Sequence, residues 1–207
     1  MDLGVRTWGN SADGETVMLT GTYLFEGEVS RRLLRALPLT VVLTATQLSS
    51  PLPALLGEEI VKDQPGQEAV LDRLLDLLLI TALRAWFDCS RATAPPWYSA
   101  YADPVVGRAL RLLHHNPAWP WTLVELAAAT GVSRAGLARR FTKLVGEPPM
   151  TFLTGWRIAL AADLLREPDA TLGAIARQVG YSSPFALSAA FKRVYGVSPR
   201  EYRARVS

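Results

Sequence analysis

One stretch of this chain occurs twice. Thr122 to Ser133 (Thr-Leu-Val-Glu-Leu-Ala-Ala-Ala-Thr-Gly-Val-Ser) is matched 49 positions later by Thr171 to Ser182. The leading Thr, the aliphatic positions, the central Ala127 and Ala176, and the turn residues Gly131 and Gly180 all coincide. After one inserted residue the register becomes 50, so that Ser133, Leu137, Phe141, Gly146 and Pro149 correspond to Ser183, Leu187, Phe191, Gly196 and Pro199. The chain must therefore build the same local unit twice.

Each copy reads as a helix-turn-helix. Small Ala residues in the first helix allow a close crossing, Gly tolerates a positive φ at the turn, and Ser caps the second helix. Thr122 and Glu125 form a capping box, and Pro184 stands at the first position of the later outer helix. In such a unit the second helix lies in the DNA major groove with its N-terminal residues facing base edges. A repeat built only for packing would not need Arg134, Arg139, Arg140, Lys143, Lys192 and Arg193 on its outer helices. Between the copies, Thr151 to Arg166 predicts one helix with Phe152, Trp156, Ala159, Leu160, Asp163 and Leu164 at helical spacing. If that helix holds the units about 34 Å apart, one turn of B-DNA, both outer helices can enter successive major grooves.

Charge divides the chain in the same place. Residues 1–102 carry 8 Lys or Arg and 12 Asp or Glu, net −4, whereas residues 103–207 carry 14 and 7, net +7. A basic excess on about a hundred residues is the electrostatic footprint of a polyanion binder. Arg makes up 19 of the 22 basic residues, and its planar fork suits phosphates and guanine edges.

Before the repeat the signals are mixed. The β-branched and aromatic runs at about 16–25 and 40–44 predict strands. Ser30 to Leu37 predicts a helical turn or two, stopped by Pro38. A long helix is expected over about 67–87, with Asp72, Arg73 and Asp76 between apolar positions. Its broad apolar face either packs on its own strands or is buried against a second copy, as a homodimer. Residues 91–102, with Pro95 and Pro96, read as a linker. Asp103-Pro104 then opens a helix that Asn116-Pro117 closes.

Enzymatic chemistry finds no support. Cys89 is single, without an evident base, and excludes an internal disulfide or a multi-cysteine zinc site. His114 and His115 are adjacent, point in different directions from a helix, and read as helix-end residues. No glycine-rich phosphate loop is present. The expectation is therefore no catalytic residue, no metal and no cofactor. Trp119 and Trp121 read as a packed staple ahead of the helix at Thr122. The apolar run from Leu74 to Leu83 is too short to span a bilayer, and no secretory signal precedes it, so the expected location is the cytoplasm with no membrane contact.

From Asp103 to about Arg205 the sequence resembles the AraC/XylS transcription regulators. The resemblance rests on Arg157-Ile158-Ala159-Leu160-Ala161, Ile175-Ala176-Arg177-Gln178-Val179-Gly180-Tyr181, Phe191-Lys192-Arg193 and Gly196-Val197-Ser198-Pro199, in this order and at these spacings. It implies a mainly α chain: an all-α domain over 103–205 with two helix-turn-helix units, about 122–145 and 171–195, joined by a long linker helix. The preceding 1–90 looks like a short α+β segment from the end of a cupin-type sensor, incomplete because a barrel needs many more strands. The implied partners are double-stranded promoter DNA and RNA polymerase.

Carried over by position, the base-reading residues implied are Arg134, Ala135, Ala138 and Arg139 in the first outer helix, and Pro184, Phe185, Ser188 and Ala189 in the second. Arg139 can fork onto a guanine, while Ala135 and Ala138 offer apolar contact such as to a thymine methyl. The family often has Arg where Ala189 stands, so the first helix is expected to supply most of the direct readout. Thr122, Ser133, Arg140, Lys143, Arg157, Thr171, Ser183, Lys192 and Arg193 are then expected on the DNA backbone. The competing reading is a dimerisation module that antagonises full-length relatives without binding specific DNA.

Overall fold

The structure, a computed structural model, describes residues 2–4, 7–8, 18–24, 27–89 and 95–206. In chain order its elements are strands β1 (Asp2–Gly4) and β2 (Thr7–Trp8), then helices α1 (Glu28–Leu34), α2 (Leu52–Ile60), α3 (Gln67–Cys89), α4 (Pro96–Ala100), α5 (Val106–His115), α6 (Leu123–Thr130), α7 (Arg134–Val145), α8 (Pro149–Leu164), α9 (Leu172–Gln178), α10 (Pro184–Tyr195) and α11 (Pro199–Val206). Contacts divide the chain into two units, 1–24 with 38–93, and 25–37 with 94–207.

In the first unit β1 and β2 pair antiparallel, with Asp2 opposite Trp8 and Gly4 opposite Thr7. The strands expected at 16–25 and 40–44 do not form: 18–24 and 40–44 carry no strand, while 16, 17 and 25 lie outside the described residues. Their β propensity goes unrealised where, among the described residues, no neighbouring strand offers them a ladder. Residues 19–22 lie instead against α2 and α3, and the Tyr23 hydroxyl donates to the Leu75 carbonyl. The long helix forms as expected and pairs with α2, which the sequence did not suggest, burying Leu56, Leu71 and Phe87. The buried Gln67 amide donates to the Glu59, Ile60 and Lys62 carbonyls, satisfying acceptors at the end of α2. Cys89 is an exposed thiol at the last position of α3.

In the second unit, caps fix where helices begin. Thr122, Ser133, Thr171 and Ser183 accept from the backbone N–H groups of Glu125, Gly136, Ala174 and Ala186 at 3.1–3.2 Å, as the repeat predicts. Asp103 receives the Val105 and Val106 N–H groups at 3.0 and 2.9 Å ahead of α5. The stretch read as a linker contains α4, whose Pro96 occupies a first-turn position where a missing N–H costs nothing.

Two cores follow. One gathers Leu110, Leu113, Leu126, Leu137, Phe141, Phe152 and Leu153; the other gathers Ile158, Ala161, Ala162, Leu165, Ile175, Leu187 and Phe191. The first half of α8 fills one and the second half fills the other, so a single unbroken helix is structural in both. Among the described residues, no helix is long and apolar enough to cross a membrane.

Candidate nucleic-acid interface

The two copies repeat in backbone as well as in sequence. The turn after α6 closes with Val132 N–H donating to the Ala127 carbonyl at 3.1 Å and Gly131 N–H to Ala128 at 3.2 Å. After α9 the same pair of bonds recurs, Tyr181 to Ala176 at 2.8 Å and Gly180 to Arg177 at 3.2 Å. Both glycines are left-handed, with φ of +73° at Gly131 and +83° at Gly180, as a helix-ending turn of this kind requires. Gly180 is further constrained, because a Cβ there would stand 2.7 Å from the Ala118 backbone.

Beyond the turns, α7 and α10 each send one face inward and leave one outside. Leu137 and Phe141 are fully buried on α7, as are Leu187 and Phe191 on α10. Arg134, Ala135 and Arg139 are exposed and Ala138 partly so; at the positions 50 residues on, Pro184, Phe185 and Ala189 are exposed and Ser188 partly so. Positions i, i+1, i+4 and i+5 form one stripe along the N-terminal half of each helix. Phe185 is 85% exposed, a large apolar ring held in water at the start of α10. The Ser188 hydroxyl donates to the Pro184 carbonyl at 2.8 Å, leaving its oxygen lone pairs outward-facing as acceptors.

Exposed cations flank these stripes. Arg134, Arg139, Lys143, Lys192 and Arg193 are exposed, and among the described residues none is in an ion pair. Three other arginines are spent inside the protein. Arg140 donates to Asp103 from Nε at 2.9 Å and from Nη2 at 2.7 Å. Burial alone would raise the Asp103 carboxyl, but the Val106 N–H, the Arg140 guanidinium and the Val105 N–H outweigh it and hold the group below the usual range. Arg157 donates to the carbonyls of Pro117 and Trp119, both at 2.7 Å, and lies 5.9 Å from the Tyr181 ring centroid. Arg203 reaches the carbonyls of Leu165, at 3.1 Å, and Ala170.

The sequence thus marks outward cations without separating them from braces. Arg140 and Arg157, expected on the DNA backbone, have their guanidinium groups turned to protein acceptors. Spacing gives no signal for this, because each partner lies some 40 residues away in the chain. Trp119, expected in a packed staple, is 57% exposed, whereas Trp121 packs on the first core and donates to the Asn116 carbonyl at 3.0 Å. Among the described residues, no group of three His, Cys, Asp or Glu side chains is placed to hold a metal ion.

Comparison with known proteins bears on both halves. Residues 2–88 match the Cupin family and residues 126–205 match a Helix-turn-helix domain family. A protein of Streptomyces antibioticus, provisionally named an AraC-like transcription regulator, is 45% identical over 148 residues, which are 72% of this chain and 49% of that protein. The chain belongs to the AraC/XylS family. Another relative, the HTH-type transcriptional regulator AlkR of Acinetobacter baylyi, is 36% identical over 70% of this chain and 47% of its own length. The chain spans about half the length of the curated relatives it matches. A solved structure of the DNA-binding domain of AdpA, a global transcriptional factor, in complex with a target DNA, is 34% identical over 50% of this chain and 93% of that one, with a TM-score of 0.47.

Proposed function

We propose that this chain is a sequence-specific DNA-binding transcription regulator that places α7 and α10 in successive major grooves of promoter DNA. The observation that carries the reading is the pair of outward stripes, Arg134, Ala135, Ala138 and Arg139 on α7 and Pro184, Phe185, Ser188 and Ala189 on α10, each backed by a fully buried aliphatic and aromatic pair. Arg139 supplies the guanine fork, and Phe185 and the alanines meet thymine methyls. The amide ends of α6, α7, α9 and α10 at Thr122, Ser133, Thr171 and Ser183, together with Lys143, Lys192 and Arg193, hold the phosphates.

On the promoter its further partners are RNA polymerase and a second copy of the chain, the latter through α3, where Val70, Leu77 and Ile80 are each about half exposed. Its place of work is the cytoplasm, where promoter DNA lies. A chain acting only by dimerising with longer relatives would not need the α7 and α10 stripes.

The test is fluorescence anisotropy of the 207-residue chain on its own upstream promoter fragment and on a scrambled duplex, over a salt series. Preference for the promoter is expected, with Arg139→Ala losing about 1–3 kcal/mol of it and Lys192→Ala weakening both duplexes and lowering the salt slope by about one. Equal affinity for the two duplexes in every variant overturns the base-reading role.

A further inference from the structure

The two outward stripes occupy equivalent positions and differ in chemistry. Fifty residues separate Arg134 from Pro184, Ala135 from Phe185, Ala138 from Ser188 and Arg139 from Ala189. Both cationic positions of the α7 stripe are therefore apolar in α10, and an alanine of α7 is replaced by an aromatic ring. Pro184, Phe185 and Ala189 are exposed, Phe185 to 85%. The core does not need that ring, because Leu187 and Phe191 already fill the inward face of α10 and are fully buried. The cations of α10, Lys192 and Arg193, come about one turn beyond Ala189.

The side chains of the α10 stripe also offer no hydrogen-bond donor. Proline, phenylalanine and alanine side chains have none, and the Ser188 hydroxyl spends its single proton on the Pro184 carbonyl at 2.8 Å. What remains is apolar surface and one acceptor, the Ser188 oxygen. In the major groove thymine shows a methyl group beside the O4 acceptor, while 5-methylcytosine shows the same methyl beside the N4 amino donor. Preferring thymine over 5-methylcytosine takes a donor aimed at O4, which these four side chains lack. The Ser188 oxygen can instead accept from the amino group. Cytosine and uracil lack the methyl and leave the Phe185 ring against a bare base edge.

We propose that α10 recognises the C5-methyl group of a pyrimidine through Pro184, Phe185 and Ala189, and takes 5-methylcytosine in place of thymine. This rests on the reading above that α10 enters a major groove. The two half-sites are then chemically unlike: Arg139 addresses a guanine in one, and a methyl group carries the other. A C·G pair in the second half-site is a weak element until its cytosine is methylated at C5. Covalent modification of the DNA thus strengthens binding with no change in the protein.

The test is selection of duplexes by the 207-residue chain from a random-sequence pool, then fluorescence anisotropy on the selected duplex with one half-site altered at a time. Thymine is replaced by uracil, which removes only the methyl; T·A pairs are then replaced by C·G and by 5-methylcytosine·G. In one half-site uracil is expected to weaken binding about fourfold per contacted methyl, and 5-methylcytosine to bind about fourfold tighter than cytosine. Phe185→Ala should erase both differences; the ring is exposed and outside the core, so this variant should fold as the parent does. Raised salt should weaken every duplex and leave both ratios unchanged, because an apolar contact releases no counterions. The proposal is overturned if uracil binds as tightly as thymine in both half-sites, if 5-methylcytosine binds no tighter than cytosine, or if Phe185→Ala retains either difference. A pool that yields no preferred sequence overturns the DNA-reading function itself, and the methyl proposal with it, so the two failures are distinguishable.

Discussion

Arg140 and Asp103 form a two-donor contact across 37 residues, with Nε at 2.9 Å and Nη2 at 2.7 Å from the same carboxylate oxygen. Its neighbour Arg139 is exposed and, among the described residues, in no ion pair. Adjacent arginines on α7 are therefore expected to fail differently. Arg140→Ala should lower stability by about 1 kcal/mol in urea unfolding, since the pair is partly exposed, and should leave promoter preference largely intact. Arg139→Ala should do the reverse. A shared phenotype would show that both arginines serve DNA.

Arg157 separates a brace from a phosphate contact in the same way. Its fork serves two carbonyls at once, which a lysine ammonium at the end of a flexible stem cannot reproduce. Arg157→Lys keeps the charge and is expected to cost about 1–2 kcal/mol of stability, with the salt slope of DNA binding unchanged. A lower slope at unchanged stability would place Arg157 on DNA.

Much of the helix-turn-helix was legible because its information is local. Caps, turn glycines and buried aliphatics lie within a dozen residues of each other, and their repetition rules out coincidence. Information carried over long separations was not legible. Ser30 to Leu37 reads as a helical turn or two, and nothing near it announces that the helix begins at Glu28 or that Asp163 will receive its N-terminus. Pro95 and Pro96 look like linker punctuation although Pro96 begins α4. The run at 18–24 has the composition of a strand but lies along α3, and propensity alone cannot supply the missing partner strand.

The paired turn glycines offer a controlled comparison. Gly131→Ala meets only the cost of a left-handed φ, about 1 kcal/mol, because nothing lies within 4 Å of the added Cβ. Gly180→Ala meets that cost and the Ala118 backbone at 2.7 Å, so a loss of about 2–4 kcal/mol is expected. Urea unfolding of the two variants checks the order, and equal losses would contradict the close approach.

Acid should loosen the second unit through His114. Burial, then the nearby Arg32 and His115 charges, lower its pKa from 6.5 to about 4, so the folded state resists a proton that the unfolded chain accepts. A depressed histidine stabilises fully above pH 6.5, and that contribution is lost as pH falls from 6.5 towards 4. With allowance for partial exposure, the loss is about 2 kcal/mol across this window. Denaturation midpoints at pH 7 and pH 5 should therefore converge in His114→Gln.

Because α8 is shared by both cores, the angular phase between the two stripes is set by the residue count of one helix. Inserting a single residue near Gly155 would turn the second stripe by about 100° while advancing it only about 1.5 Å. If the two stripes read DNA as proposed, the length of this one helix sets the separation and the relative rotation of the two stretches of duplex they read, so an insertion there would change both at once.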